Sequence, residues 1–284
     1  MRQAESFVGD AILFIFMSLF WGLNYSFLKI ALQFEPPLMV LLFRVTFAAL
    51  ISVAFSFRSL KKLRGIGFLR PFLMSLLNIS MFMSLWFIGE EYEPASISSI
   101  LIYTYPIMAV LLSGPFLGEK LGLMKITGTI VGFFGLVVIF IDQLAIRGSI
   151  GLLLLVSAAL MWAIGTVFYK KYLAGVDQAG INALQFIYAV PVVLLFTAVQ
   201  GGVRPLNLDF LLITLYMGSF GTAVAYYIYL RLLMKYKVSH VSPYLFSVPA
   251  FSIFLSLIIN GEQIMVTTLA GFLLVSAGIY ISSR

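Results

Sequence analysis

Apolar residues fill this chain in blocks of about 20, each closed by a short run of charge, glycine or proline. A helix that crosses the ~30 Å hydrocarbon layer of a bilayer needs about 20 mostly apolar residues. The blocks predict helical spans over residues 11–30, 38–57, 70–89, 95–117, 123–141, 150–170, 180–200, 208–231, 239–260 and 266–283. The expected fold class is an all-α integral membrane protein with ten transmembrane helices. The first block is too long for the apolar core of a secretion signal, so it is read as a retained span. The connections between blocks leave no room for a soluble domain.

Composition supports the same solvent. Of 284 residues, 62% are hydrophobic and 10% are charged, against about 25% charged in soluble domains. Cysteine is absent, which removes disulfides and thiol chemistry. The net charge of +7 is better explained by its distribution than by a nucleic-acid partner. With the N-terminus inside, fourteen of the eighteen Lys and Arg fall on the inner side, including Arg58, Lys61, Lys62, Arg64, Lys120, Lys125, Lys170, Lys171 and Lys235. The outer side receives Lys29, Arg147, Arg204 and the acids Glu90, Glu91 and Glu93. Basic residues accumulate on the cytoplasmic side of membrane proteins. The expectation is a multi-pass protein of the cytoplasmic membrane with both termini cytoplasmic and no nucleic-acid partner.

The blocks also repeat. "FWGLNYSFLK" from Phe20 aligns with "MWAIGTVFYK" from Met161, pairing Trp21 with Trp162 and Lys29 with Lys170 at an offset of 141. "YPIMAVLLSGPFLGE" from Tyr105 aligns with "VPAFSIFLSLIINGE" from Val248 at an offset of 143, pairing Pro106 with Pro249 and Glu119 with Glu262. Gly128 and Gly135 pair with Gly271 and Gly278. Each half, 1–145 and 146–284, holds five spans; five is odd, so the halves are expected to be inverted repeats within one transmembrane domain. Inverted repeats are a recurring build of secondary transporters, with the substrate site at their interface.

The Trp-Gly pair followed by Asn24 and Lys29, the intramembrane Arg44 in "LFRVTFAAL", and the Gly-Glu pairs ahead of Gly-spaced helices resemble the EamA-type drug/metabolite transporter superfamily. The resemblance runs through both halves. It implies a ten-helix bundle that moves small organic solutes, commonly outward, and it leaves the substrate open. Two positions depart from the pattern: Gln185 stands where the first half has Arg44, and Ala163 replaces the Gly of the Trp-Gly pair.

All eleven Asp and Glu lie at span ends or in loops, which argues against a built-in proton relay. The single His240 opens the ninth span and is read as interfacial. Arg44 lies about a third of the way across its span; its stem either snorkels to the outer interface or its guanidinium binds an anionic group such as a carboxylate. No second cation joins it, which disfavours multiply charged substrates. The other candidate substrate-binding residues are aromatic or weakly polar: Trp21, Asn24, Tyr25, Asn78, Ser99, Tyr103, Trp162, Thr166, Tyr226, Tyr244 and Ser247. The competing reading makes them interfacial belts and packing polar groups. Pro106 and Pro249 are candidate hinges, or simply widen the bundle. The glycines of the fifth and tenth spans form packing seams or a dimer contact, so monomer and homodimer both stay open.

An intramembrane enzyme is disfavoured, because metal, nucleophile–base and cofactor chemistry all lack their residues. The expected function is alternating-access transport of small amphipathic solutes across the cytoplasmic membrane by an exporter or uniporter, with aromatic amino acids the first candidates. Lipid or hydrophobic-drug translocation is the alternative.

Overall fold

The computed structural model describes residues 2–63, 65–93, 95–141, 150–200, 207–251 and 266–284. Among these residues the chain is helical, without a strand. The elements are α1 (Arg2–Ala31), α2 (Pro37–Lys62), α3 (Leu69–Tyr92), α4 (Ala95–Ile102), α5 (Tyr105–Leu117), α6 (Leu123–Ile139), α7 (Ile150–Tyr172), α8 (Gln178–Gln200), α9 (Leu208–Lys235), α10 (Val238–Tyr244), the helical residues 247–251, and α11 (Val266–Ser283). Among the described residues, eight helical stretches are long and apolar enough to cross a membrane, with α4 and α5 together supplying one of them over Ile97–Leu117, which makes this a multi-pass helical membrane protein. Helix α6, at 17 residues, falls short of that length. The ninth predicted span is helical through α10 and residues 247–251, and its remainder lies outside the described residues.

Local chemistry sets the helix ends. Pro37 opens α2, where its missing N–H has no intrahelical partner to lose. Gly118 ends α5 in the left-handed conformation, with φ 68°, which a side chain would resist. Asn207 caps α9 by accepting from the Phe210 N–H at 2.7 Å. The fourth predicted span is broken: Tyr103 and Thr104 form a turn and Pro106 is the second residue of α5. Proline has no N–H to continue the ladder, so the break falls just before it. The ninth span breaks in the same way at Leu245 and Phe246, ahead of Pro249.

Asp177 caps α8, accepting the Gly180 N–H at 3.1 Å with Lys62 at 3.7 Å. Burial raises the carboxyl's pKa, but the Gly180 N–H, the Ser59 hydroxyl and Lys62 outweigh it and hold it below the ordinary value. A depressed folded pKa means this stabilisation is present above the unfolded pKa and lost as pH falls through the folded one. Asp177→Ala should therefore cost about 1 kcal/mol at neutral pH, and the difference from the parent should vanish on acidification. Thermal unfolding in detergent across pH reads this directly.

Two π-helical segments interrupt α3 and α9, at Leu76–Met81 and Ser219–Val224. They begin 143 residues apart, the offset of the later sequence alignment. A π turn adds a residue and frees a carbonyl from the ladder. Around the second segment, Asn24 Nδ2 donates to Gly221 O at 2.9 Å, and a Cβ at Gly221 would collide with the Asn24 amide. Around the first, a Cβ at Gly165 would collide with the Asn78 amide. Gly165 is Asn24 shifted by 141 and Gly221 is Asn78 shifted by 143. Each contact is thus an Asn on a Gly, with the two residue types exchanged between the halves.

The larger packing follows the same pairing. Helix α1 lies on α9 and α3 on α7, while α2 packs on α8 and α6 on α11. The α6–α11 seam is made of glycine: a Cβ at Gly271 would lie 2.7 Å from Gly135 O, and one at Gly278 would lie 2.7 Å from Gly128 O. Dispersion between close backbones, rather than a hydrophobic drive, holds helices together where the solvent is itself apolar.

Candidate functional site

Where α1, α2, α3, α7 and α9 meet, they enclose a central cavity of about 20 Å³, enough for one water. Its wall takes Trp21 and Asn24 from α1, Arg44 from α2, and Phe82, Met83 and Trp86 from α3. Ile102 ends α4, Tyr103 lies in the turn that follows it, and Trp162 comes from α7 and Tyr226 from α9. The wall is mostly rings in contact. The Trp21 ring meets Trp162 at 5.7 Å edge-on and Tyr226 at 5.6 Å. Trp162 stacks on Tyr105 at 3.9 Å and on Phe82 at 4.8 Å. Such pairs add about 0.5–1.5 kcal/mol each beyond their burial.

Arg44 is the charged side chain among the described residues of this wall. It is 1% exposed, so it does not snorkel. Its Nε donates to Thr222 Oγ1 at 2.6 Å and its Nη2 to Gly221 O at 3.4 Å. The carbonyl at Gly221 belongs to the π segment of α9, and Asn24 also donates to it. The local geometry has a clear cause: the π turn offers a carbonyl, and Arg44 and Asn24 converge on it. The guanidinium also lies 5.9 Å from the Trp86 ring and 5.6 Å from that of Phe87, within cation–π range.

One helical turn beyond Trp162, a hydroxyl cluster ties four segments together. Tyr105 and Tyr229 share a hydrogen bond; Thr166 Oγ1 is 3.0 Å from Tyr229 and 3.3 Å from Tyr105, and Ser242 Oγ is 3.5 Å from Tyr105. All four side chains are buried. A buried hydroxyl without a partner is costly, so the cluster fixes α5, α7, α9 and α10 in one arrangement.

Of the residues singled out from sequence, Trp21, Asn24, Arg44, Tyr103, Trp162 and Tyr226 line the cavity. Thr166 sits in the hydroxyl cluster. Asn78 is buried against Gly165, its backbone carbonyl accepting from Tyr226 at 3.4 Å, while its amide atoms have no hydrogen-bond partner among the described residues. Ser99 is buried within α4. Tyr244 packs on Phe14 at 5.9 Å and His240 at 5.5 Å, in a separate apolar groove of about 180 Å³. Ser247 Oγ donates to Tyr244 O at 2.7 Å. Pro106 and Pro249 stand just after the two span breaks. The Tyr25 side chain and Glu262 lie outside the described residues. Sequence reasoning missed Phe82, Met83 and Ile102. Phe82 and Met83 follow the π segment of α3, which turns them by about 100° from their regular helical phase, and nothing in their apolar type marks them.

Among the described residues no group of three His, Cys, Asp or Glu is placed to hold a metal ion. An all-helical multi-pass protein built around a buried aromatic cavity defines a membrane transporter rather than an enzyme once its relatives are considered. The chain belongs to the EamA-like transporter family, which matches residues 10–141 and again 149–284. It is 32% identical over 278 residues to the uncharacterized transporter YvbV of Bacillus subtilis, covering 95% of this chain and 90% of that protein. It is 25% identical over 288 residues to an Escherichia coli protein named as a probable amino-acid metabolite efflux pump, covering 96% and 94% respectively. A solved crystal structure superposes with a TM-score of 0.79 over 97% of both chains at 17% identity, a likeness of fold.

Proposed function

We propose that the protein is an alternating-access carrier of small amphipathic solutes bearing one carboxylate, with aromatic amino acids the best candidates and export the direction. The observation that carries this is Arg44, a buried guanidinium in a wall otherwise built of aromatic rings, Asn24 and apolar side chains. A single guanidinium matches a single carboxylate, and stacked rings suit a substrate ring. In this reading Trp21, Asn24, Arg44, Tyr103, Trp162 and Tyr226 bind the solute. The name of the Escherichia coli relative supports both the solute class and its direction.

The cavity of about 20 Å³ is smaller than any amino acid, so in this reading the structure is a contracted state and the rings part to admit substrate. Ten spans in two inverted halves, 1–145 and 146–284, supply the mechanism, since the halves can exchange shapes. Support comes from the twice-matched family, the π segments 143 residues apart and the exchanged Asn–Gly contacts. The charge ledger supports both termini in the cytoplasm and residence in the cytoplasmic membrane.

Counterflow tests the reading. Proteoliposomes loaded with unlabelled Phe or Trp should accumulate the labelled amino acid saturably, with and without a pH gradient. Trp162→Ala, which removes the Tyr105 and Phe82 stacks, should slow this uptake about tenfold or more while leaving folded protein. Uptake no greater than in protein-free vesicles would reject the solute class.

A further inference from the structure

The Lys170 end of the bundle is fastened in a way that the Lys29 end is not. The α9–α10 joint, Leu233 to Ser239, is held from three sides. Lys170, at the end of α7, donates from Nζ to Leu233 O, to Met234 O at 3.3 Å and to Tyr236 O at 2.9 Å. Glu119, two residues after α5, accepts the Val238 N–H at 2.8 Å and the Ser239 N–H at 2.9 Å. Asp10 of α1 pairs with Lys235 and accepts the Tyr236 hydroxyl at 2.7 Å. A helix's last carbonyls lack intrahelical donors and favour a cation, and its first N–H groups favour an anion. Lys170 and Glu119 meet those two demands on either side of one turn.

Sequence register carries this arrangement to the opposite end. Lys170 corresponds to Lys29 at the offset of 141, and its three acceptors correspond to the carbonyls of Glu90, Glu91 and Glu93 at the offset of 143. The surrounding frame is already in register: Gly151, which corresponds to Asp10, is pressed so closely on Tyr92 and Glu93 that a Cβ there would lie 2.7 Å and 2.9 Å from their side chains. Yet Lys29 is exposed, and its ammonium makes no hydrogen bond or ion pair among the described residues. One latch is engaged, and its register equivalent is free.

We propose that Lys170 and Lys29 are alternating latches of the transport cycle. Lys170 on the α9 carbonyls closes the path at its end. Lys29 on the carbonyls of Glu90, Glu91 and Glu93, at the end of α3, closes it at the other, and engaging one requires releasing the other. The proposal rests on the alternating-access reading above. It adds that the end-of-helix lysines, rather than the cavity rings, set the balance between the two states.

The chain has no cysteine, so a single reporter is clean. Met83→Cys, in the cavity wall, is placed in oriented vesicles and labelled with a membrane-impermeant maleimide from either side. Adding Lys170→Met should raise labelling from the Lys170 end about tenfold, the scale of losing charge-assisted hydrogen bonds. Adding Lys29→Met should lower labelling from the Lys170 end and raise it from the Lys29 end. Lys170→Arg, which keeps the charge and donors, should restore the parent pattern.

A merely structural Lys170 predicts no effect of the exposed Lys29, so an unchanged Lys29→Met pattern overturns the proposal even where Lys170→Met fails to fold. If the reporter changes sides with an imposed substrate gradient but neither lysine variant shifts it, alternating access stands and the latch falls. If the reporter reacts from one side under every gradient and in every variant, both fail.

Discussion

Replacing Arg44 with Gln is expected to weaken a carboxylate-bearing substrate about 10- to 100-fold in counterflow competition while leaving its neutral amide or ester nearly unchanged. A hydrogen bond to a charged group is worth about 1.5–3 kcal/mol, and ten-fold corresponds to about 1.4 kcal/mol. Glutamine keeps a polar side chain near Gly221 and Thr222 but removes the charge. Thr222 is not left without a partner, because its hydroxyl also donates to Met217 O at 2.7 Å, so the π segment keeps its internal bond. Arg44→Lys should fail to restore the parent affinity. A lysine offers one nitrogen where Arg44 sends Nε to Thr222 and Nη2 to Gly221, and it cannot hold both contacts and a carboxylate in a planar fork. Equal loss for acid and amide would make Arg44 a structural brace and overturn the carboxylate assignment.

Gly278→Val should remove most folded protein. Its Cα faces Gly132 and Gly128, and an added Cβ would lie 2.7 Å from Gly128 O and closer still to the Gly132 backbone. Backbone cannot swing aside as a side-chain tip can, so α11 would have to move away from α6 along the whole seam. Overpacking typically costs about 1–3 kcal/mol and more where backbone is the obstacle. Gly135→Val, at the matching position 143 residues earlier, should do the same, because its Cβ would meet the Val275 and Leu274 backbone. Gly175→Ala is the control: nothing lies within 4 Å of a Cβ there, and its stability should be unchanged. The yield of monodisperse protein by size exclusion in detergent, with thermal unfolding of what remains, measures all three. A folded, normally stable Gly278→Val would remove the seam as a determinant of the fold.

Much of the fold was legible in the chain. The apolar blocks located the helices, because crossing hydrocarbon is a summed transfer free energy over about 20 residues and hardly depends on neighbours. The π segments were not legible. Leu76–Met81 and Ser219–Val224 share no sequence signal, since a π turn is held by what packs on it, here Asn24 and Arg44 on the second segment. The break before Pro106 was visible as a kink, but its turn at Tyr103 and Thr104 comes from the lost N–H together with the packing that follows. Within the cavity, Trp21, Arg44 and Trp162 stood out because each is expensive or conspicuous in an apolar span. Phe82 and Met83 did not, because an apolar side chain looks the same facing lipid or facing a cavity.

The sequence by itself determined the solvent, the apolar blocks and the family pattern that matches twice, over residues 10–141 and 149–284. Each of these is carried by residues one at a time or in short local runs. Which face of each helix turns inward was decided by the tertiary structure alone. In water, hydrophobic periodicity marks the buried face of a helix; in a bilayer the outside is as apolar as the inside, and that mark is erased. What remains is close fit: glycine on backbone between α6 and α11, amide on glycine at Gly221 and Gly165, and a guanidinium on a carbonyl released by a π turn. Those contacts join residues 87 to 197 positions apart, and only the folded chain brings them within reach.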